Sequence, residues 1–265
     1  MIDTHAHLNF KAFSQDYQKV IQDNFKQGLK AVINIGSNLE TSKKACQIAQ
    51  EFSHCYAAIG LHPIHVEDED FILEEFQELI KKNKDQVKAI GETGLDYYQE
   101  KYEPEEQKKV FLKHLKLAQE FNLPVVLHCR GSKTEPHDAY LDLLKILKKQ
   151  VKSKGVIHCF SADWEIAQQF LDLGFYMGFT GPITFKNATP RLLKVVIQAP
   201  LNKILLETDC PFLAPEPYRG GRNEPIYIRL LAQKIAELKE ISQEEVIKQT
   251  TKNAQKLFNI TEKLN

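Results

Sequence analysis

A (β/α)8 barrel, the TIM-barrel form of the α/β class, is the fold this sequence predicts, and three observations predict it. Eight short apolar runs rich in Val, Ile, Leu and aromatics are spaced along the chain, stretches of helical periodicity separate them, and polar residues interrupt the runs nearly always at their C-terminal ends. Near-continuous apolar strands alternating with helices indicate a parallel sheet whose outer face is covered by helices. Eight units in 265 residues leave about 33 residues each, close to the roughly 250 residues such a barrel occupies. No Pro/Gly/Ser-rich linker or composition shift divides the chain, so residues 1–265 read as one domain. Periodicity alone leaves an open, doubly wound sheet as the alternative.

The first run, MIDTHAHL, ends in His5 and His7, which on a strand point to one face while Ala6 points to the other. KAVINIG, the second, has no ionisable group at its C-terminal end. CYAAIGLHP then contributes His62, VKAIGETGLD contributes Glu92, PVVLHCR contributes His128 and GVIHCFS contributes His158. FYMGFTG is again without one, and KILLETDCP contributes Asp209. Between the fourth and fifth runs a helix starts at Pro104, with Glu105 and Glu106 on its positive end and an apolar stripe of Val110, Phe111, Leu115, Ala118 and Phe121. Strand C-termini converge on one mouth of a barrel, which is where chemistry sits, and five of the nine histidines lie there. The same alternation turns Cys129, Cys159 and Cys210 outward, toward the helices, as small buried apolar residues.

Composition narrows the function. The 35 basic residues balance 35 acidic ones, which argues against a broad basic surface coating DNA or membrane and leaves room for a small, locally positive site. Five residues are Arg, so bidentate recognition of phosphate has few candidates. No apolar stretch approaches the roughly 18 to 20 residues that span a bilayer, and MIDTHAHL lacks the pattern of a leader, so a cytoplasmic location is expected. Five widely spaced cysteines without a CxxC pair read as reduced.

Four strand-end imidazoles (His5, His7, His128, His158) and two carboxylates (Glu92, Asp209) form a donor set of metal-binding type. Six donors are too many for one catalytic zinc, which takes about three protein ligands, and suit two divalent ions about 3.5 to 4 Å apart that share a carboxylate.

These motifs resemble the TatD-type metal-dependent deoxyribonucleases, within the wider amidohydrolase-like barrels. The matching segments are DTHAHL, GLHP, GETGLDYY, PVVLHCR, HCFS, ETDCPFLAP and the loop RGGRNEP, and the closing segment TKNAQKLFNI is also similar. HxH alone marks only the superfamily, whereas GETGLDYY with ETDxP is specific. The resemblance implies that His5, His7 and Asp209 hold one ion together with Glu92, which bridges to a second ion held by His128 and His158. It implies Mg as the working ion, while imidazole-rich ligation by itself favours Zn, Ni or Mn. One departure is the Arg-Gly-Gly-Arg loop, where relatives often have a basic residue in the middle; it thins the contacts available to substrate phosphate.

Two ions lower the pKa of water and neutralise charge in an in-line displacement, the main demands of phosphodiester hydrolysis. Asp209 is expected to serve as ligand and as proton acceptor from the attacking water. His62, not needed for either ligand set, is expected to bind or protonate substrate phosphate, with a structural role in the turn before Pro63 as the alternative. Arg130, two residues past His128, and Arg222, in the loop after the eighth run, are the expected phosphate-binding arginines. Asp3 and Glu207, two residues before His5 and Asp209, should point inward and orient ligands from behind. Asp96 either supports the site or caps a helix. Tyr97, Tyr98 and Tyr102 are expected to pack under a loop, and His54, His65, His114 and His137 to lie on solvated or helix surfaces.

The leading function is a metal-dependent deoxyribonuclease acting on single-stranded DNA ends. The alternatives are a hydrolase of esters, lactones, amides or aminoacyl-tRNA on the same dinuclear site, and a metal-holding binding protein, which the intact ligand set and Asp209 disfavour. No membrane and no obligatory protein partner is expected. Zero net charge fits a mouth that receives one strand end, drawing its phosphate attraction from two ions and a few arginines.

Overall fold

The computed structural model describes residues 1–99, 103–150 and 153–260. Eight parallel strands run in sequence order around one sheet: β1 (Ile2–Ala6), β2 (Ala31–Ile35), β3 (Cys55–Ile59), β4 (Val87–Asp96), β5 (Val125–Arg130), β6 (Gly155–Ile157), β7 (Tyr176–Phe179) and β8 (Ile204–Leu206). Each falls inside one of the eight apolar runs. Between them lie α1 (Tyr17–Lys26), α2 (Leu39–Glu51), α3 (Leu73–Lys82), α4 (Pro104–Phe121), α5 (Asp138–Leu147), α6 (Trp164–Asp172) and α7 (Pro190–Gln198). Two further helices, α8 (Ile228–Lys239) and α9 (Gln243–Phe258), follow β8.

The seam between first and last strands distinguishes a barrel from an open sheet. Ala6 bridges in parallel to Cys210, His7 N donates to Cys210 O at 2.8 Å, and Asp209 N donates to His5 O at 2.8 Å. Asp3 reinforces the seam from inside: its Oδ1 accepts from the Thr208 amide at 3.0 Å and the His5 amide at 3.2 Å, and its Oδ2 pairs with the Thr208 hydroxyl. Burial pushes the Asp3 carboxyl up to about 8 against those hydrogen bonds.

Strand alternation divides the core into two layers. Ala31, Ile33, Ile35, Ala58, Val126, Val156 and Leu205 fill the barrel, and Leu257 and Phe258 of α9 close its floor. Val32, Ile59, Val125, Leu127, Ile204 and Leu206 face outward against the helices, as do Ala6, Cys129 and Cys210. All five cysteines are free. Among the described residues no helix is long and apolar enough to cross a membrane.

Two sequence expectations are corrected here. Cys159 does not join the outward layer, because β6 ends at Ile157 and Cys159 takes a left-handed conformation (φ 45°) that breaks the alternation; its Sγ lies 2.9 Å from Thr180 Oγ1 at the mouth. His114 is wholly buried on the inner stripe of α4 instead of on a helix surface. Its Nδ1–H donates to Val110 O at 2.9 Å and its Nε2 accepts from Leu61 N at 2.9 Å, so both ring nitrogens are satisfied in the neutral form. Burial accordingly pushes the ring down to about 4.

The long β4 carries two site residues past the end of β3, and Gly94 makes its approach to β5 possible. Gly94 has φ +137°, and a Cβ there would lie 2.0 Å from His128 O. Gly94→Ala should therefore cost ~1–3 kcal/mol in strain alone and lower Tm by several degrees in calorimetry; an unchanged Tm would contradict the close approach.

Candidate metal centre

The strand ends surround a cavity of about 460 Å³ whose wall includes His7, His62, Glu92, His128, His158 and Asp209. His5 is fully buried just beneath. Asp209 reaches this place because the chain turns left-handed at it (φ 57°), three residues beyond the last residue of β8.

Four donor atoms cluster at one side. His5 Nε2 lies 3.2 Å from His7 Nε2, 3.3 Å from Glu92 Oε2 and 3.7 Å from Asp209 Oδ1; His7 Nε2 lies 3.3 Å from Asp209 Oδ1 and 3.9 Å from Glu92 Oε2. Donors about 2.1 Å from a tetrahedral ion lie about 3.4 Å from one another. The spacing is that of a shared cation. The other oxygen of Glu92 faces away, with Oε1 3.0 Å from His128 Nδ1 and 3.6 Å from His62 Nε2.

Outer hydrogen bonds fix which ring nitrogen is available. His7 Nδ1 lies 3.0 Å from Ile35 O and His158 Nδ1 lies 2.8 Å from Glu207 Oε2; both partners only accept, so Nδ1 carries the proton and Nε2 offers its lone pair to the site. His128 Nε2 is held at 2.8 Å by Asp96 Oδ2, leaving Nδ1 toward Glu92. Glu207 and Asp96 thus orient the His158 and His128 rings from behind, and Gly178 makes room for Glu207, whose carboxylate oxygens would lie 2.1 and 2.3 Å from a Cβ there. His62 is different. Its Nδ1 accepts from Ile64 N at 3.2 Å, so in the neutral ring the proton sits on Nε2, which faces the site as a donor. Burial, reinforced by the neighbouring charge on His128, pushes His62 down to about 4, so the neutral form prevails.

Electrostatics follow from the packing. Burial pushes Glu92 up, but His62, His5 and the His128 hydrogen bond outweigh it and hold the carboxyl well below its usual range. Asp209 is likewise lowered, its burial offset by the His7 hydrogen bond and the charge on His158. His128 and His158 are raised to about 9: burial opposes the charged ring, and it is overcome by Asp96 and Glu92 for the first and by Glu207 for the second.

Three compact donor groups result: His5, His7 and Glu92; His5, His158 and Asp209; and His62, Glu92 and His128. The structure therefore seats His158 beside Asp209, with its ring stacked 3.4 Å from that of His5, and gives His128 the neighbours Glu92 and His62. Arg130 lies at the mouth, its guanidinium carbon over the Tyr98 ring at 3.5 Å from the centroid. Arg222 does not reach it: Asp16 grips both its terminal nitrogens at 2.9 and 2.7 Å, and Ala12 O accepts from it at 3.0 Å. Tyr97 packs inside with its hydroxyl donating to Asp142 at 3.1 Å, whereas Tyr98 is exposed; Tyr102 lies outside the described residues. His65 lines the mouth and His137 pairs with Asp163 at 3.2 Å. The apolar rim of Ile64, Phe212 and Leu213 was not singled out from the sequence; the dipeptide PF after Asp209 was the available signal.

A family model described as TatD related DNase matches residues 2–259. The chain belongs to this family. It is 40% identical over 264 residues to YabD of Bacillus subtilis, described as an uncharacterized metal-dependent hydrolase, covering 98% of this chain and 99% of that one. The crystal structure of YjjV, a TatD homolog from Escherichia coli K12, superposes with a TM-score of 0.89 at 30% identity over 98% of each chain. That of a TatD-family hydrolase from Entamoeba histolytica gives 0.84 at 27% identity over 97% of each.

Because His128 and His158 hold protons up to about 9, a cation must displace them, and metal affinity should rise from pH 6 to 9. Calorimetry in buffers of different ionisation enthalpy should register release of roughly two protons per chain near pH 7; zero release would contradict the assignment of these rings as ligands. Glu92→Ala should lose both metals or nearly so by elemental analysis, and full retention of two would exclude the bridging role.

Proposed function

We propose that this chain, a metal-dependent hydrolase of the TatD family, is a deoxyribonuclease that hydrolyses phosphodiesters at the ends of single-stranded DNA. The observation that carries the reading is the division of Glu92, one oxygen toward His5 and His7 and the other toward His128. A carboxylate so placed can serve two ions. One would be held by His5, His7, Glu92 and Asp209 and the second by Glu92 and His128, with Mg, Mn or Zn as the ion; His158, expected with the second, stands beside Asp209 and His5. When bound, the pair supplies Lewis acidity that activates water and neutralises charge on the phosphoryl oxygens.

The chain's own groups do the rest. Asp209, kept ionised at the mouth, accepts the proton of the attacking water. His62 points Nε2–H at the reacting phosphate and donates to it, and the same ring braces the turn through Nδ1, so its two expected roles coexist. Arg130, held over the Tyr98 ring, offers a planar fork to a phosphate oxygen. Phe212, 51% exposed beside the donors, presents a face on which a base can stack. Arg222, paired with Asp16, has no part in substrate binding and ties the loop after β8 to the loop before α1.

Metal-reconstituted protein should shorten end-labelled single-stranded DNA; turnover of an ester or lactone panel with no cleavage of DNA would overturn the reading. His62→Ala should lower kcat about 100-fold with metal content unchanged, and loss of a metal ion in that variant would make His62 a ligand instead.

A further inference from the structure

The mouth opens sideways into two grooves, and their charges differ. One, of about 1000 Å³, runs from Phe10, Ser37, His65 and Phe212, all shared with or bordering the catalytic cavity, along the loop after β1 to the first turns of α2. Three lysines, Lys11, Lys43 and Lys44, line it against one acid, Glu40. The other, of about 710 Å³, leaves past Ile64 and Tyr98 and carries one lysine, Lys133, against Glu67 and Asp68 among the described residues. A phosphate chain leaving the metal centre meets an excess of cations in the first groove and no excess in the second, where Lys133 and Arg130 on Tyr98 balance Glu67 and Asp68.

The geometry points to the first groove as the binding site for the single strand that continues beyond the scissile phosphate, an inference that rests on the nuclease reading. Its aromatic floor is continuous with the catalytic site. Phe10 stacks on His7 at 4.3 Å, and Phe212 stands edge-on to Phe10 at 6.2 Å. Tyr17 lies further along, under Lys44 at 4.9 Å. Aromatic faces alternating with lysines are what a sequence-independent single-strand site requires, because every base can stack and every phosphate needs a cation. Lys11 and Lys43 are exposed and reach the strand as point charges. The strand end then sits in the cavity and the body of the strand follows the β1 loop toward α2, which makes the enzyme gain from substrate length.

The test compares kcat/KM for a dinucleotide and for a strand of about 16 nucleotides, in the wild type, in Lys11→Ser/Lys43→Ser and in Lys133→Ser. The double variant should lower the ratio of long to short substrate about tenfold near 0.1 M salt and reduce the salt slope for the long strand by about 1.4, whereas Lys133→Ser should not lower it. An unchanged ratio in the double variant, or the loss appearing in Lys133→Ser, overturns the groove and leaves the nuclease reading standing. If esters turn over and no phosphodiester does, the nuclease reading fails; fluorescence anisotropy of the long strand in EDTA, which needs no turnover, then judges the groove separately, and a salt slope unaffected by the double variant overturns it.

Discussion

Closure of the barrel between β1 and the segment behind β8 is the constraint on which the rest depends. The main-chain bonds from Asp209 N to His5 O and from His7 N to Cys210 O join residues about two hundred positions apart. They also decide chemistry, because the residues so joined are themselves the donors. Asp3 couples the two functions: its carboxyl takes the amides of both His5 and Thr208, so any slip of the seam leaves a buried polar group without partners.

Within that frame the site is a problem in buried charge. Two carboxylates and four imidazoles inside a barrel are tolerable only if their charges cancel. Protons on His128 and His158 offset part of that negative charge, and Glu207 and Asp96, themselves buried carboxylates, hold the outer ring nitrogens in the donor form. A divalent ion held by these rings would take the inward nitrogens and leave the outer hydrogen bonds, which already orient the rings, in place.

His62 shows how one small feature separates a donor from a ligand. Its distance to Glu92 alone would admit it to a metal group, but the turn beginning at Pro63 uses its Nδ1 as an acceptor, and the remaining nitrogen must carry hydrogen. The mouth likewise mixes chemistry: Arg130 lines it together with the exposed apolar side chains of Ile64, Phe212 and Leu213. Beside the mouth, Lys11, Lys43 and Lys44 line one groove against Glu40, and Glu67 and Asp68 line the other against Lys133, so a chain of zero net charge carries locally unequal charge.

The eight strands were legible because each is buried on both faces and reads as an apolar run, and the positions of His5, His7, Glu92, His128, His158 and Asp209 at run ends were legible because polar residues there break the pattern. His114 was legible in principle, lying four residues from Val110 and one before Leu115 on the stripe of α4, though its chemical type suggested a surface. Other features were not. Arg222 and Arg130 look equivalent along the chain, and only the approach of Asp16 captures one and leaves the other at the mouth. Cys159 follows a histidine just as Cys129 does, and a left-handed residue after a short β6 reverses its direction. Periodicity determined the eight strand-and-helix units and the inventory of donors, because burial and alternation are local, one-dimensional signals, whereas closure into a barrel was decided by the seam between β1 and the segment after β8. The pairing of donors, the tautomers and the direction of the exits were decided by tertiary structure alone, because they depend on contacts between residues that only closure of the barrel brings within a few ångströms.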